Sequence, residues 1–234
     1  MKTREIIHNI KERMGIEQLN AMQIAMSETD KTNIVLIAPT GSGKTLAFII
    51  RMLRAFDLNK AGQGVQALVI APSRELVVQI AEIFRRVAVG LKVTPLYGGH
   101  RFDDEAKSLS VVPDIIVATP GRLLDHLQRA TISLKQVELV TLDEYDKSLE
   151  LGFEDEMKRI MRQAGRPTLR MLTSATLLEQ LPPFITDRHN IEVMDFTNRS
   201  GAPTVPVPIV EVPSPVPAPQ DTLPPRQRQG HNRQ

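Results

Sequence analysis

The sequence predicts an α/β fold in which a mostly parallel sheet carries helices on both faces. Short apolar runs rich in Val, Ile and Leu alternate along the chain with segments in which apolar residues recur every three or four positions. The runs are apolar throughout, which is typical of strands that are buried on both faces. Regular alternation of strand and helix favours a parallel sheet, and ligands of such sheets bind at the carboxyl ends of the strands.

The predicted elements follow in chain order without an internal repeat. The apolar runs predict strands over 34–37, 67–71, 93–97, 115–118, 139–142, 169–173 and 191–194. The helical spacing, with charged residues on the opposite face, predicts amphipathic helices over 45–56, 74–89 and 122–129, and a short helix pattern over 20–27.

Proline marks a boundary near residue 200. Nine of the 17 prolines lie between Pro203 and Pro225, in a stretch without aromatic residues or periodicity. We therefore expect one domain over 1–199, followed by a disordered, Pro-rich C-terminal tail over 200–234 that resembles an interdomain linker.

Composition excludes several classes of protein. The 29 Lys and Arg against 27 Asp and Glu leave a net charge of +2, so any surface that binds nucleic acid must be local. The chain has no cysteine, which excludes a disulfide framework, a zinc–thiolate site and a cysteine nucleophile. No apolar run reaches the roughly 18 residues of a membrane helix, and the first residues lack a secretory pattern. We expect a cytoplasmic protein with no membrane partner.

The candidate phosphate-binding loop lies between the first predicted strand and the next helix. Glycines let its backbone curl so that amide groups point inward, and the following helix offers its positive N-terminus. Lys44 would neutralise the outer phosphates and Thr45 would hold a Mg²⁺ ion. The candidate nucleotide-binding residues here are Ala38, Pro39, Thr40, Gly41, Ser42, Gly43, Lys44 and Thr45. The alternative is a glycine-containing turn without a ligand.

Two carboxylates follow the predicted strand over 139–142. Asp143 is the candidate magnesium ligand, and Glu144 would polarise or orient the attacking water, because phosphoryl transfer requires mainly positioning and charge stabilisation. Together with Lys44 they form the candidate catalytic set. Acids at a strand end are also commonly helix caps or solvated turn residues, which is the alternative.

Several short segments stand in an order that is specific to one family. They are Gln23, 38–45, 72–76 with Gln79, Gly98 and Gly99, 119–122, 143–146 and 174–176. Over about residues 3–196 the chain resembles the DEAD-box family of ATP-dependent RNA helicases, specifically the first of that family's two RecA-like domains. The resemblance implies a RecA-like P-loop NTPase fold, with ATP and Mg²⁺ as cofactors and RNA as a partner.

The resemblance also implies a role for each segment. It assigns adenine recognition to Gln23, whose amide offers one acceptor and two donors. It implies that Asp146 couples nucleotide state to RNA through Ser174 and Thr176. It implies sequence-independent contacts with the RNA backbone at Pro72, Ser73, Arg74, Gly98, Gly99, Thr119, Pro120, Gly121 and Arg122. Read singly, these segments are a solvated helix residue, a strand end with two hydroxyls, and helix caps with surface arginines.

Two positions depart from the family's pattern. Tyr145 stands where the family has alanine, so we expect metal binding to be retained and the packing against 174–176 to change. Ile6 stands where the family has an aromatic residue that stacks on adenine, and 19–21 lack the usual Pro-Thr-Pro, which leaves adenine selectivity open.

The second RecA-like domain of the family has no counterpart after the strand near residue 191, although 209–216 resembles the connector. In related phosphoryl transfers, arginine fingers such as that domain supplies contribute about a thousandfold or more. We therefore expect the ATP-binding half of an RNA helicase that hydrolyses ATP poorly by itself. The alternatives are a nucleotide- and RNA-binding module without helicase activity, and an unrelated phosphate-loop ATPase or kinase.

Overall fold

The computed structural model describes residues 1–99, 101–165, 167–178, 181, 182, 184, 185 and 190–197. The predicted tail over 200–234 lies outside these residues. Seven strands form the fold: β1 (Asn33–Ile37), β2 (Ala67–Ile70), β3 (Val93–Leu96), β4 (Ile115–Ala118), β5 (Leu139–Leu142), β6 (Leu169–Ser174) and β7 (Ile191–Asp195). Each predicted strand is present, with bounds that differ from the prediction by at most one residue.

The strands form one sheet in the order β3-β4-β2-β5-β6-β1-β7. Every pairing between neighbours is parallel, which confirms the predicted α/β class. Pro95 lacks an N–H to donate, and it lies in β3 at the edge of the sheet, where the missing hydrogen bond is tolerated. The carboxyl ends of all seven strands therefore meet at one edge, which we call the carboxyl edge.

The described residues contain eight α-helices, of which the first two precede β1: α1 (Thr3–Met14), α2 (Ala21–Glu28), α3 (Lys44–Ala55), α4 (Arg74–Val87), α5 (Phe102–Ser108), α6 (Pro120–Gln128), α7 (Tyr145–Glu150) and α8 (Glu154–Gln163). The helix predicted over 122–129 begins earlier because Pro120, with its fixed φ, occupies the first helical position. Sequence reasoning missed α1, α5, α7 and α8. Two of these are short, and α8 buries only Met157 and Ile160 among its many charges.

The sheet separates two hydrophobic cores. Alternate strand residues face opposite sides, so that Leu36 and Met171 join the first core whereas Ile37 and Leu172 join the second. Helices α1 to α4 supply residues to the first core, and α6 and α8 supply residues to the second. The helices therefore cover both faces, as predicted. Within the described residues, no helix is both long and apolar enough to cross a membrane.

Candidate functional site

The loop between β1 and α3 closes around its own lysine. Gly41 and Gly43 have φ angles of 78° and 93°, in the region that favours glycine. Lys44 is buried as the first residue of α3, and its ammonium donates to the carbonyl oxygens of Ala38 at 2.5 Å and Pro39 at 3.0 Å. The backbone amide of Ala38 donates to the Ser174 carbonyl at 3.1 Å, which ties the start of the loop to the end of β6.

The loop fits a bound phosphate group. The hydroxyl of Ser42 is shielded from solvent and has no hydrogen-bond partner among the described residues. Buried polar groups normally have partners, so an unpaired hydroxyl beside the N-terminus of α3 suits an anionic ligand. Of the other predicted loop residues, Gly43 and Thr45 are half-buried, whereas Pro39, Thr40 and Gly41 are exposed.

Gln23, on α2, contacts this loop. The side-chain carbonyl of Gln23 accepts the Asn20 backbone N–H at 3.0 Å, and the backbone N–H of Gln23 donates to Asn20 Oδ1 at 2.9 Å. These two bonds form a capping box. Gln23 Nε2 donates to the Gly43 carbonyl at 3.4 Å, and Asn20 Nδ2 donates to the Ser42 carbonyl at 3.0 Å. A Cβ atom at Gly43 would lie 2.7 Å from Gln23 Nε2. Gln23 is only 6% exposed, so its reading as a solvated helix residue is wrong.

The two acids after β5 are held by a hydroxyl of β6. Leu142 pairs with Leu172 in the parallel register, so Asp143 lies beside Thr173. Thr173 Oγ1 donates to Asp143 Oδ1 at 2.5 Å and accepts the Glu144 backbone N–H at 3.1 Å. Glu144 has φ 47° and ψ 54°, a left-handed conformation that is unusual for a residue with a side chain.

Burial governs the charges of these groups. It raises the pKa of the Asp143 carboxyl to about 6; the hydrogen bond from Thr173 and the charge of Lys44 oppose this rise, whereas the charge of Glu144 adds to it. Burial also lowers the pKa of Lys44, against the attraction of Asp143, Glu144 and Asp146. A divalent cation beside Asp143 would favour its ionised form.

Asp146, in the first turn of α7, holds the segment that follows β6. Its Oδ2 accepts the backbone N–H groups of Ala175 at 3.0 Å and Thr176 at 3.2 Å, and the Thr176 hydroxyl at 3.1 Å. Burial by itself raises the pKa of Asp146, but hydrogen bonds from Ser174, Ala175, Lys147 and Thr176 outweigh it and lower that pKa. The structure thus brings together the three residues predicted for coupling.

The ends of β2, β3 and β4 carry the residues predicted to contact RNA. Ser73 caps α4 by accepting the Leu76 N–H at 3.3 Å. The exposed Arg74 lies over the ring of Tyr97, 5.1 Å from its centroid, and a Cβ atom at Gly99 would lie 3.3 Å from the Arg74 guanidinium. Of the remaining predicted residues, Gly98 and Gly121 are exposed, Thr119 is half-buried, and Pro72 and Pro120 are buried.

Arg122 differs from Arg74 because it forms ion pairs with two carboxylates. Its Nε donates to Glu105 Oε2 at 2.5 Å, its Nη1 lies 3.6 Å from Asp125, and only 13% of its side chain is exposed. The buried His126 places Nε2 2.9 Å from the same oxygen of Glu105 and stacks on Phe102 with ring centroids 4.4 Å apart. We call Glu105, Arg122 and His126 the α5–α6 ion cluster. The Arg122 side chain thus joins α6 to α5, and a contact between this residue and RNA stays a prediction.

The two departures from the family's pattern lie in the cores. Tyr145 packs into the second core and lines a cavity of about 530 Å³ with residues that include Met157 and Phe184, and burial raises the pKa of Tyr145 to about 12. The hydrogen bonds from 174–176 to Asp146 are formed with this tyrosine present. Ile6 is fully buried in the first core.

A parallel sheet of this order, with the loop over 38–45 and Asp143 at its carboxyl edge, defines a phosphate-loop domain of the RecA-like class. Comparison with known proteins specifies the family. Residues 16–182 match the family model of the DEAD/DEAH box helicases. The chain therefore belongs to this family and corresponds to the N-terminal domain of a DEAD-box RNA helicase, which excludes an unrelated phosphate-loop ATPase or kinase.

Several relatives support this assignment. The ATP-dependent RNA helicase DeaD of Escherichia coli is 40% identical over 177 residues, which are 74% of this chain and 28% of that protein. The DeaD protein of Buchnera aphidicola from Acyrthosiphon pisum is 41% identical over 152 residues, 64% of this chain and 25% of that protein. The chain thus spans between a quarter and a third of the length of these curated relatives.

Solved structures show the same fold. A hypothetical ATP-dependent RNA helicase from Sulfolobus tokodaii superposes with a TM-score of 0.72 and 33% identity, over 83% of this chain and 57% of that chain. A DEAD box protein from Methanococcus jannaschii superposes with a TM-score of 0.72 and 31% identity, over 81% of this chain and 52% of that chain.

Sequence reasoning missed three contributors to the site. Asn20 had a signal, because an asparagine three residues before a glutamine is a capping-box pattern. Thr173 had none, because its partner Asp143 is known only once β5 and β6 are placed side by side. Glu105 also had none, since its partners lie on α6, beyond an intervening strand.

We expect Glu105→Ala to destabilise the fold. It removes the carboxylate from Arg122 and His126, and breaking a buried ion pair costs roughly 3–5 kcal/mol. Urea unfolding at neutral pH measures this loss. The control Glu150→Ala breaks the exposed pair with Lys147 and should change the free energy of unfolding by less than about 1 kcal/mol.

The effect of Glu105→Ala should also depend on pH. Burial by itself raises the pKa of Glu105, but hydrogen bonds from His126 and Arg122 outweigh it and lower that pKa. A lowered pKa contributes stability above the unfolded pKa, and this contribution is lost as the pH falls through the folded value. The difference between wild type and variant should therefore shrink on acidification. An equal difference at neutral and acid pH would contradict the ion cluster.

Proposed function

We propose that this domain binds Mg²⁺-ATP at the loop over 38–45 and the sugar-phosphate backbone of single-stranded RNA at the ends of β2, β3 and β4. The order of the strands supports this division. Strand β6 lies between β1, which leads into the loop, and β5, which leads into Asp143, while the three RNA candidates lie on the other half of the sheet. One carboxyl edge thus carries two neighbouring sites.

The nucleotide would be held mainly by the loop and α3. Inward amide groups and the N-terminus of α3 would accept the phosphates, and Lys44 would exchange its carbonyl partners, Ala38 and Pro39, for phosphate oxygens. Mg²⁺, when bound, would neutralise developing charge on the phosphates. Thr45 and Asp143 would hold that ion, and a single carboxylate suits Mg²⁺, which keeps waters and phosphate oxygens as its other ligands.

Gln23 would connect the adenine to the loop. Its Oε1 accepts the Asn20 N–H, and its Nε2 makes one long bond within the described part of the chain, 3.4 Å to the Gly43 carbonyl. An amide nitrogen has two hydrogens to donate, so Nε2 would offer the second to the base, and the residue that reads the base would also contact the loop that binds the phosphates.

Lys44→Ala should abolish nucleotide binding, because the phosphates lose their cation. We expect affinity for Mg²⁺-ATP to fall at least about a hundredfold in calorimetry. Lys60→Ala is the control, since Lys60 is exposed and pairs with Glu138, which directly precedes β5 at the opposite edge of the sheet. Circular dichroism shows whether both variants keep the fold. Wild-type affinity in a folded Lys44→Ala variant would refute the assignment of the loop.

The proposed RNA site rests on an exposed arginine and on the N-termini of two helices. Helices α4 and α6 begin at this edge, and their N-termini favour phosphate groups. The Thr119 side chain makes no capping hydrogen bond, so its hydroxyl can donate to a phosphate. Arg74 is exposed, and Tyr97 and Gly99 define its position. Helix N-termini, a hydroxyl and an arginine that contact phosphate carry no sequence information, so the binding would be independent of sequence.

Arg74→Gln should weaken RNA binding and reduce its dependence on salt. Loss of one phosphate contact lowers the slope of log affinity against log salt by about 0.7 for a single strand. Fluorescence anisotropy with a labelled oligonucleotide at several salt concentrations measures both effects. Lys60→Gln removes an equal charge at the opposite edge and should leave the slope unchanged. An unchanged slope for Arg74→Gln would contradict its contact with a phosphate.

We expect ATP turnover by the 234-residue chain to be slow and not stimulated by RNA. Related phosphoryl transfers gain about a thousandfold or more from an arginine finger, and in the family this comes from the second RecA-like domain. A phosphate-release assay with and without RNA, run beside binding of a labelled adenine nucleotide, tests the proposal. Binding without stimulated turnover supports it. Turnover that RNA stimulates would contradict it and indicate that a second copy completes the site.

The alternative function is a nucleotide- and RNA-binding module without helicase activity. It would need the same two proposed binding surfaces and differs in having no role in strand separation. Strand separation by the domain together with a supplied second domain would exclude it.

A further inference from the structure

Thr173 makes two hydrogen bonds that join β6 to both acids after β5. Its Oγ1 donates to the Asp143 carboxylate at 2.5 Å and accepts the Glu144 backbone N–H at 3.1 Å. A hydroxyl has one hydrogen to donate, and Thr173 gives it to the carboxylate. The bond to Asp143 is buried, because Thr173 is fully buried and Asp143 is 2% exposed, and the bond from the Glu144 N–H is partly buried.

The rest of the strand holds this hydroxyl in place. Thr173 follows Met171 by two positions, so its side chain lies on the face that α3 covers. A branched Cβ atom restricts the rotation of the side chain. The parallel register then sets the oxygen beside Asp143, and the Ala38 N–H bonded to Ser174 fixes the next residue against the loop. Thr173 is thus positioned by β5 on one side and by the start of the loop after β1 on the other.

We propose that Thr173 is a positioning residue for the metal site of this domain. Its hydroxyl fixes the orientation of the Asp143 carboxylate toward the Mg²⁺ of bound nucleotide, and through the Glu144 N–H it fixes the left-handed backbone that directs the neighbouring acid. This inference rests on the proposed function, and it adds a residue outside the segments over 143–146 and 174–176. Hydrogen bonds that orient metal ligands commonly contribute 10- to 100-fold to metal affinity.

Three substitutions at Thr173 vary the hydroxyl. Thr173→Val keeps the branched shape and removes both hydrogen bonds. Thr173→Ser keeps the hydroxyl and loses a methyl group, and Thr173→Cys keeps only a weak donor and acceptor.

Thr141→Val is a matched control. Thr141 is also fully buried on the same face, on β5, but its hydroxyl donates to Met52 Sδ in α3 at 3.1 Å instead of to an acid.

The measurement is the dissociation constant of a fluorescent ADP analogue, with Mg²⁺ and with EDTA. The dissociation constant in EDTA divided by the constant in Mg²⁺ reports the contribution of the metal. Binding in EDTA by itself reports the loop and Lys44. We expect Thr173→Val to lower this ratio at least about tenfold and to change binding in EDTA less than about twofold. Thr173→Ser should restore the ratio to within about threefold, and Thr141→Val should leave it at the wild-type value.

A double variant shows whether Thr173 acts through Asp143. In an Asp143→Asn background, Thr173→Val should cause no further loss of metal dependence. A further loss of the same size would overturn the proposal, because Thr173 would then act on the metal by another route.

The remaining outcomes are also decisive. If wild type binds with metal dependence and folded Thr173→Val keeps the same ratio, the positioning role is wrong and the proposed function stands. If wild type does not bind nucleotide at all, the proposed function itself has failed. If Thr173→Val does not fold, the order wild type, Ser, Cys in metal dependence carries the test, and equal ratios among these three would overturn the proposal.

Discussion

The position of β6 between β1 and β5 is the constraint on which the whole site depends. From the end of this one strand, the Ser174 carbonyl holds the loop at Ala38, and the Thr173 hydroxyl holds Asp143. The segment that follows binds Asp146 through Ala175 and Thr176. Parallel register permits all of this, because carboxyl ends in neighbouring parallel strands lie side by side. An antiparallel neighbour would carry its own carboxyl end to the opposite edge.

Asp143 and Lys44 are both buried at this site, and burial opposes the charge of each. Burial raises the pKa of Asp143 and lowers that of Lys44, so both groups resist being charged without a ligand. Lys44 satisfies its ammonium with the carbonyls of Ala38 and Pro39. A bound polyphosphate with its metal would supply the missing counter-charges to both groups at once. The cost of burying them is therefore offset most fully in the ligand-bound state that we propose.

Local signals in the sequence predict the strands and the loop, whereas tertiary pairing decides much of the rest. Apolar runs and the glycine-lysine pattern locate β1 and Lys44 without knowledge of neighbours. The partners of Asp143 and Arg122 lie on elements distant in sequence, so only the strand order and helix packing reveal Thr173 and Glu105. The same limit explains why Arg122 reads as a surface arginine in the sequence and as a largely buried one in the structure.

Hydrogen bonds and short stretches of chain together join the two proposed sites. Strand β2 ends at Ile70, just before Arg74, and the Ile70 carbonyl accepts the backbone N–H of Asp143 at 2.8 Å. From Asp143 the path continues through Thr173 and β6 to the loop. Such a path transmits a signal only if one of its links has two arrangements. The links inside the sheet are buried and close-packed, so breaking them would disrupt the core. The bonds of Asp146 to the exposed Thr176 can open without that cost, so we expect a link with two arrangements there and not inside the sheet.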